Sequence, residues 1–300
     1  DPRVRIRKNS WNVGFAGNLD RACQHATGDR MILLSSDDLA CPNALTVYQR
    51  LAEALGEHAE RAVFASDQNV IDSKGCVIGA EGRDGRLWRD ATRHEALSDK
   101  LGCTVFHVPA KTLLERALEH LRTPFAFATT CYPRSLYEAV EGYGGGALMN
   151  PDKGFAWKIL SVAEDVYHIE APLFSYRVHG SNQNAQQRQS GALKHMMDQY
   201  RATFDTAPAI LEAAGISQKD LEHAFVEHDV ALRGLKAVAE GERHLARRHL
   251  HFGIAAYPAL VARSRKVWIL RAALALGPFG TWIARRRLQA ALSAYRAGGI

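Results

Sequence analysis

The chain has 300 residues, of which 47% are hydrophobic, 23% charged and 8% aromatic. This composition excludes a disordered chain and a collagen-like repeat, and it is sufficient for a large buried core. Five scattered cysteines without CxxC spacing argue against a structural zinc site and against a disulfide framework. We therefore expect a folded protein of a reducing compartment.

The net charge of +6 is unevenly distributed along the chain. Residues 242–300 contain eleven Lys or Arg and one acidic residue, a net charge of +10, which leaves −4 for residues 1–241. A mildly acidic domain with a strongly basic carboxyl-terminal region predicts contact with an anionic surface, either lipid head groups or nucleic acid.

Hydrophobic patterning predicts alternating strands and helices in the first part of the chain. Residues 4–7 alternate apolar and polar and predict a short strand, and residues 19–26 have helical spacing. The continuous apolar run 31–34 predicts a buried parallel strand, and a helix follows Pro42. With a further strand at 62–65, this order predicts an α/β fold with a mostly parallel sheet flanked by helices.

The patterning changes after Gly180. Nearly everything from Gly191 onward predicts Ala- and Leu-rich helices, with breaks at Pro208, Gly215, Pro258 and Pro278. We therefore predict two domains, residues 1–188 and a helical, basic region of residues 189–300, with the boundary near 183–195. Before that boundary, the pattern predicts helices over 110–121, 133–141 and 152–163, and extended segments over 125–131, 166–169 and 173–178.

The most informative motif is Ser35-Ser36-Asp37-Asp38, which directly follows the apolar run. Two adjacent carboxylates at a strand end are costly unless a cation compensates them, and open α/β sheets bind ligands outside the carboxyl ends of their strands. Carboxylate oxygens suit Mg²⁺ or Mn²⁺, which commonly combine one or two carboxylates with substrate phosphates. The alternative is a solvated turn that caps the next helix.

Further motifs surround this one, and their order and spacing resemble a known family. The motifs are Asn12-x-Gly14-x-x-x-Asn18, Ala26-x-Gly28, Ser36-Asp37-Asp38, the glycine-rich segment 142–146, Asn150-Pro151-Asp152 and Tyr176-Arg177-x-His179. Together they resemble the inverting, nucleotide-sugar-dependent glycosyltransferases of family 2, over residues 3–185. The resemblance implies a GT-A-type, Rossmann-like catalytic domain followed here by the α-helical carboxyl-terminal region.

The resemblance implies roles for the acidic residues. Asp38 corresponds to the metal-binding acid of a D-x-D-type motif and Asp37 to the acid near the nucleotide ribose, while Ser36 stands where a strict motif has its first acid. Asp152 corresponds to the general base, with Asp165 as a rival. We favour Asp152 because it begins a predicted helix, although it could be a simple helix cap.

The resemblance also implies roles for three other motifs. His179 corresponds to a residue that completes the metal or diphosphate site, and Arg177 to a partner of the diphosphate. Asn12, Gly14 and Asn18 would position their loop against the nucleotide. Each has a structural alternative: a hydrogen-bonded histidine, an ordinary ion pair, and a plain turn.

Taken together, the resemblance implies sugar transfer with inversion from a nucleotide-sugar donor to a glycan or lipid-linked acceptor, assisted by Mg²⁺ or Mn²⁺, in cell-surface polysaccharide synthesis. The family's fold begins with a strand pair ahead of the segment matched by residues 4–8, and we find no copy of that pair. The sequence therefore predicts an amino-terminally incomplete catalytic domain.

The basic region contains a long stretch, residues 267–284, in which only Arg271 is charged. Gly277-Pro278 would break a spanning helix, so we predict amphipathic helices lying on the inner face of the cell membrane, with Trp268, Phe279 and Trp282 toward lipid. The alternative is a helical hairpin packed on the catalytic domain.

Two other function classes stay open. A nucleic-acid-binding protein is suggested by the pI of about 9.1, but no nucleic-acid motif is recognisable and we do not expect nucleic acid as a partner. A non-catalytic scaffold is favoured by the missing strands, whereas Asp37, Asp38 and Asp152 favour an enzyme.

Overall fold

The computed structural model describes residues 3–144, 151–180 and 192–297. Helices and strands alternate as far as residue 177, and the secondary structure of the described residues after that is helical. The helices of the first part are α1 (Gly14–His25), α2 (Ala44–Leu55), α3 (Glu95–Leu101), α4 (Ala110–Glu119), α5 (Arg134–Ala139) and α6 (Pro151–Val162). The strands are β1 (Arg30–Ile32), β2 (Leu39–Ala40), β3 (Ala62–Ile71), β4 (Val77–Glu81), β5 (Thr92–Arg93), β6 (Val105–Pro109), β7 (Cys131–Pro133) and β8 (Asp165–Arg177).

The eight strands form one sheet with the order β1-β7-β3-β8-β6-β5, while β2 pairs with β8 and β4 with β3. The α/β class and the helical carboxyl-terminal region are confirmed. The sheet is mixed rather than mostly parallel: β3 and β8 pair in parallel, and the other described pairs are antiparallel. One cause is the tight turn at 72–75, because a short turn can join only antiparallel strands.

Three predicted extended segments differ in the structure. Of the segment expected over 125–131, Phe127–Thr129 form a 3₁₀ helix and only Cys131 belongs to β7. Residues 4–7 are not a strand: Val4 and Ile6 are exposed, and among the described residues no strand pairs with this segment. An alternating pattern without a partner lacks the ladder of hydrogen bonds that defines a strand. The run 31–34 contributes to β1, which pairs antiparallel with β7 instead of lying in a parallel ladder.

The carboxyl-terminal region contains α7 (Ala192–Phe204), α8 (Pro208–Ala214), α9 (Gln218–Phe225), a π-helix (Val226–Leu232), α10 (Arg233–Ala239), α11 (Arg243–Ala256), α12 (Pro258–Arg263), α13 (Arg265–Ala275) and α14 (Gly277–Ala297). The predicted breaks coincide with helix ends, since Pro208 and Pro258 begin helices and Gly215, with φ of +72°, ends one. No helix in the described ranges combines the length and the apolar character needed to cross a membrane.

The helical region packs directly on the first part of the chain. Helix α8 contacts both α4 and α6, and α9 contacts α4. One buried hydrophobic cluster includes Leu113 of α4, Ile159 of α6 and Leu211 of α8. The division into residues 1–188 and 189–300 stays a prediction, and most of the boundary expected at 183–195, residues 183–191, lies outside the described residues.

Candidate functional site

The short strand β2 brings the Asp37–Asp38 turn to the end of β8. Leu39 and Ala40 pair antiparallel with Ser175 and Phe174, so the residues just before β2 lie beside those that follow Ser175. Four predicted site residues, Asp37, Asp38, Arg177 and His179, therefore meet, although almost 140 residues separate the two motifs in the chain.

Asp38 is buried and holds the two segments together. Its Oδ1 accepts a hydrogen bond from the backbone N–H of Arg177 at 2.9 Å. Burial raises the pKa of Asp38, and the Arg177 N–H opposes this shift because it stabilises the carboxylate. One carboxylate oxygen is thus occupied by the backbone, which indicates a structural contribution whether or not Asp38 also meets an ion.

Asp37 and His179 form a pair on the more accessible side of this turn. Asp37 Oδ2 lies 2.9 Å from His179 Nε2, and both side chains are partly exposed. Carboxylate and neutral imidazole are both ligands of divalent cations in proteins. Of the four residues, Asp37 and His179 have the oxygen and nitrogen atoms that are best placed to coordinate a cation.

The guanidinium of Arg177 binds backbone carbonyls. Its Nε donates to the carbonyl of Asp37 at 2.9 Å, and its Nη1 donates to those of Asp72 at 3.0 Å and Ser73 at 3.3 Å. Arg177 therefore joins the Asp37 turn to the turn between β3 and β4. These hydrogen bonds favour a structural role for Arg177, through backbone carbonyls instead of the ion pair named as the alternative, over pairing with a diphosphate.

Asn12, Gly14 and Asn18 make local hydrogen bonds at the start of α1. Asn12 Oδ1 accepts from the N–H of Gly14 at 2.9 Å, and Gly14 has a φ of +73°, which favours glycine. Asn18 Oδ1 accepts from Asn9 Nδ2 at 2.9 Å. These contacts favour the turn alternative, and the predicted contact with a nucleotide stays a prediction.

Asp152 begins α6, as predicted, beside a narrow pocket with aromatic walls. The pocket has a volume of about 20 Å³, room for little more than one water molecule, and among its described lining residues Asp152 alone is charged. Burial raises the pKa of Asp152, because an apolar surrounding disfavours the charged form. The walls of this pocket include Leu33, Phe127, Tyr132, Tyr143 and Phe155.

The aromatic wall is a feature that sequence reasoning missed. The rings of Tyr143 and Phe155 stack with centroids 4.0 Å apart, and Asp20 Oδ1 accepts from the backbone N–H of Tyr143 at 2.7 Å. Four of its aromatic residues lie between positions 125 and 143, but no regular spacing in the sequence marks them as one surface. Gly145, Gly146 and Asn150 of the predicted motifs lie outside the described residues.

The pocket and the Asp37–His179 pair lie at the same edge of the sheet. Leu33 lines the pocket and precedes Asp37 by four residues, a distance that an extended chain spans in about 14 Å at most. Asp165, in contrast, begins β8, whose 13 residues separate it from Arg177 by roughly 40 Å of extended strand. Asp165 Oδ1 lies 2.6 Å from His107 Nε2. The geometry therefore favours Asp152 over Asp165.

Asp37 and His179 fit a hard divalent ion only in part. In the described ranges, no group of three or more His, Cys, Asp and Glu side chains is arranged to hold a metal. Two protein ligands are sufficient for an ion that takes its other ligands from phosphate oxygens and water, as Mg²⁺ commonly does. The donor set is consistent with an ion that arrives together with a nucleotide.

Comparison with known proteins connects this geometry to a family. Residues 1–122 match the sequence model described as "Glycosyl transferase family 2". A protein of Haemophilus influenzae named "Uncharacterized glycosyltransferase" is 23% identical over 120 residues, which cover 39% of this chain and 35% of the relative. The matched range contains Asp37 and Asp38 and ends before Asp152 and His179. The match agrees with the resemblance inferred from the motifs: residues 1–122 of this chain are similar to glycosyl transferase family 2.

Proposed function

We propose that this transferase moves a sugar, with inversion, from a nucleotide-sugar donor to a glycan or lipid-linked acceptor in cell-surface polysaccharide synthesis. The supporting observation is the meeting of Asp37 and His179, from motifs far apart in the chain, at the sheet edge that also holds Asp152. A carboxylate and an imidazole can bind a cation that stabilises the leaving diphosphate, and a second carboxylate can accept the proton of the acceptor hydroxyl.

On the donor side, we propose that Asp37 and His179 hold Mg²⁺ or Mn²⁺. Such an ion supplies positive charge that stabilises a leaving nucleoside diphosphate. Asp38 and Arg177 act indirectly, because their hydrogen bonds to the backbone keep the Asp37 turn against the end of β8. Asp38 and Arg177 thus orient the Asp37–His179 pair, and this role does not require contact with the nucleotide-sugar donor.

On the acceptor side, we propose Asp152 as the general base. Burial beside the aromatic walls raises the pKa of its carboxyl group, which makes Asp152 a stronger base for a hydroxyl group. The deprotonated acceptor oxygen then attacks the anomeric carbon while the diphosphate leaves. A single displacement of this kind inverts the configuration and needs no covalent intermediate.

Isothermal calorimetry with UDP or GDP and Mn²⁺ tests the donor side. We expect Asp37→Ala and His179→Ala to lose metal-dependent binding of the nucleotide. Asp165→Asn, at the far end of β8, is the matched control and should bind as the parent protein does. Unchanged affinity in both site variants would contradict the assignment, and binding without any turnover would favour the scaffold alternative.

We also propose that the carboxyl-terminal region contacts the inner face of the cell membrane. Helix α13 buries Val267 and Leu270 and leaves Trp268 57% exposed, and α14 leaves Phe279 58% and Trp282 50% exposed. Arginines accompany these rings, since Arg271 lies 5.2 Å from the Trp268 centroid and Arg286 5.3 Å from that of Trp282. Exposed aromatic rings beside arginines are typical of helices at an anionic lipid interface.

Co-sedimentation with liposomes tests this contact. We expect binding to phosphatidylglycerol-containing vesicles and little binding to phosphatidylcholine alone, with attraction of about 1 kcal/mol for each Lys or Arg near the surface and a decrease as salt rises. Trp282→Ser should weaken binding, whereas Ile254→Ser, at an exposed apolar residue of α11, should not. Equal and negligible binding to both vesicles would indicate the packed-hairpin alternative.

A further inference from the structure

Lys153, the residue after Asp152, has an unusual environment for a lysine. It belongs to the first turn of α6 and is only 4% exposed. Its Nζ donates a hydrogen bond to Oε1 of Gln199 in α7, and it lies 4.9 Å from the centroid of the Trp157 ring. A lysine is rarely buried unless compensating groups surround it.

The compensating groups come from the helical region. Helix α7 contributes His195, Asp198 and Gln199, of which Asp198 and Gln199 are buried. The π-helix contributes Asp229, which is 2% exposed, and α10 contributes Arg233, whose Nε lies 2.5 Å from the Asp229 carboxylate.

Helix α11 completes this polar cluster. His249 donates from Nδ1 to the backbone carbonyl of Asp229 at 2.9 Å. Burial lowers the pKa of His249, and burial together with Arg233 lowers the pKa of His195 to about 4, so both rings are neutral near pH 7. Lys153 is adjacent to Asp152 in the chain. The other members of this cluster belong to the helical region.

Two cations accompany the two buried carboxylates of Asp198 and Asp229: Lys153 is buried, whereas the side chain of Arg233 is 47% exposed. Burial still dominates at Lys153, because it lowers the pKa of the ammonium to about 8 even though the carboxylates of Asp229 and Asp198 oppose the shift. A buried charge cluster tolerates little displacement, since moving one partner leaves the others uncompensated. The start of α6 is therefore held at one place relative to the helical region.

We propose that Lys153 is a positioning residue, which fixes the location of Asp152 and adjusts its charge by linking α6 to the helical region. Adjacent Cα atoms are about 3.8 Å apart, so a lysine fixed in the cluster also fixes the backbone of Asp152. The Lys153 ammonium favours the ionised form of Asp152, and Asp198 disfavours it. The proposal rests on Asp152 being the base, but its physical part is independent of turnover.

Carbon-13 NMR of carboxyl-labelled aspartate tests the coupling directly. The Asp152 signal is identified by its loss in Asp152→Asn. We expect Lys153→Met to raise the pKa of Asp152 by about half a unit or more, because a nearby opposite charge shifts a carboxyl group by about 1–3 units. Lys153→Arg should restore the parent titration.

Lys158→Met is the matched control on the same helix. Lys158 Nζ binds the carbonyls of Val140 and Gly142, away from the helical region, so this variant should leave the Asp152 titration unchanged. Gln199→Leu removes the hydrogen-bond acceptor of Lys153 and keeps the positive charge of the lysine. It therefore tests the same coupling even if Lys153→Met fails to fold. We expect it to shift the same signal while circular dichroism stays that of the parent protein.

An Asp152 titration that is identical in the parent, Lys153→Met and Gln199→Leu proteins would overturn the proposal. A shifted titration combined with full sugar transfer by Asp152→Asn would leave the coupling intact and disprove the base assignment. The two failures are therefore distinguishable in one set of variants.

Discussion

A structural role for Arg177 and a role in binding diphosphate predict different effects of substituting this residue. Its guanidinium donates to three backbone carbonyls, those of Asp37, Asp72 and Ser73. A hydrogen bond from a charged donor contributes about 1.5–3 kcal/mol net, and the three share one partly exposed side chain. We expect Arg177→Ala to lower the free energy of unfolding by about 2–4 kcal/mol, measured by urea denaturation as a lower midpoint with an unchanged m-value.

Arg50→Ala is the matched control, because Arg50 donates to one exposed carbonyl, that of Lys100. It should change the free energy of unfolding by no more than about 0.5 kcal/mol. An Arg177→Ala protein with parental stability and no affinity for UDP or GDP would refute the structural interpretation, and it would assign the guanidinium to the donor.

The remaining predictions concern the two candidate acids. If Asp152 is the base, as proposed, its raised pKa means that it is protonated as the pH falls through a value above the usual 3.9 or so of aspartate. The acidic limb of kcat/KM should then lie above that value. The same shift means that the folded state favours the neutral carboxyl group, so Asp152→Asn should be at least as stable to urea as the parent protein at pH 7. Asp165→Asn should keep its transfer activity, because Asp165 pairs with His107 at the opposite end of β8.

The sequence predicts the meeting of Asp37 with His179 better than it predicts the roles of their neighbours. Both motifs follow extended segments, and strand ends at one sheet edge meet whatever the length of chain between them. The role of Arg177 depends instead on where the turn at 72–75 places its carbonyls, and backbone positions of this kind leave no signal in residue type.

The burial of Lys153 is a second feature that could not be predicted from the sequence. The helix over 152–163 is predictable from its apolar residues, and a lysine beside Asp152 reads as an exposed side chain. Its burial depends on α7 and the π-helix, which lie about 40 and 75 residues further along the chain. The strand expected at 4–7 is wrong for a related reason, because a local pattern cannot show whether a partner strand is present.

In the proposed reaction, Asp152 removes the proton of the acceptor hydroxyl, and Asp37 and His179 hold the ion that binds the nucleotide-sugar donor. The most direct measurement is nucleoside diphosphate release from UDP- and GDP-sugars, in the presence of Mn²⁺ and membrane-derived acceptors, by the parent, Asp152→Asn and Asp165→Asn proteins. We expect Asp152→Asn to lose about 10²–10⁴-fold in rate while it binds UDP or GDP normally, and Asp165→Asn to stay active. Loss of release in Asp165→Asn together with parental rates in Asp152→Asn would contradict this proposed reaction.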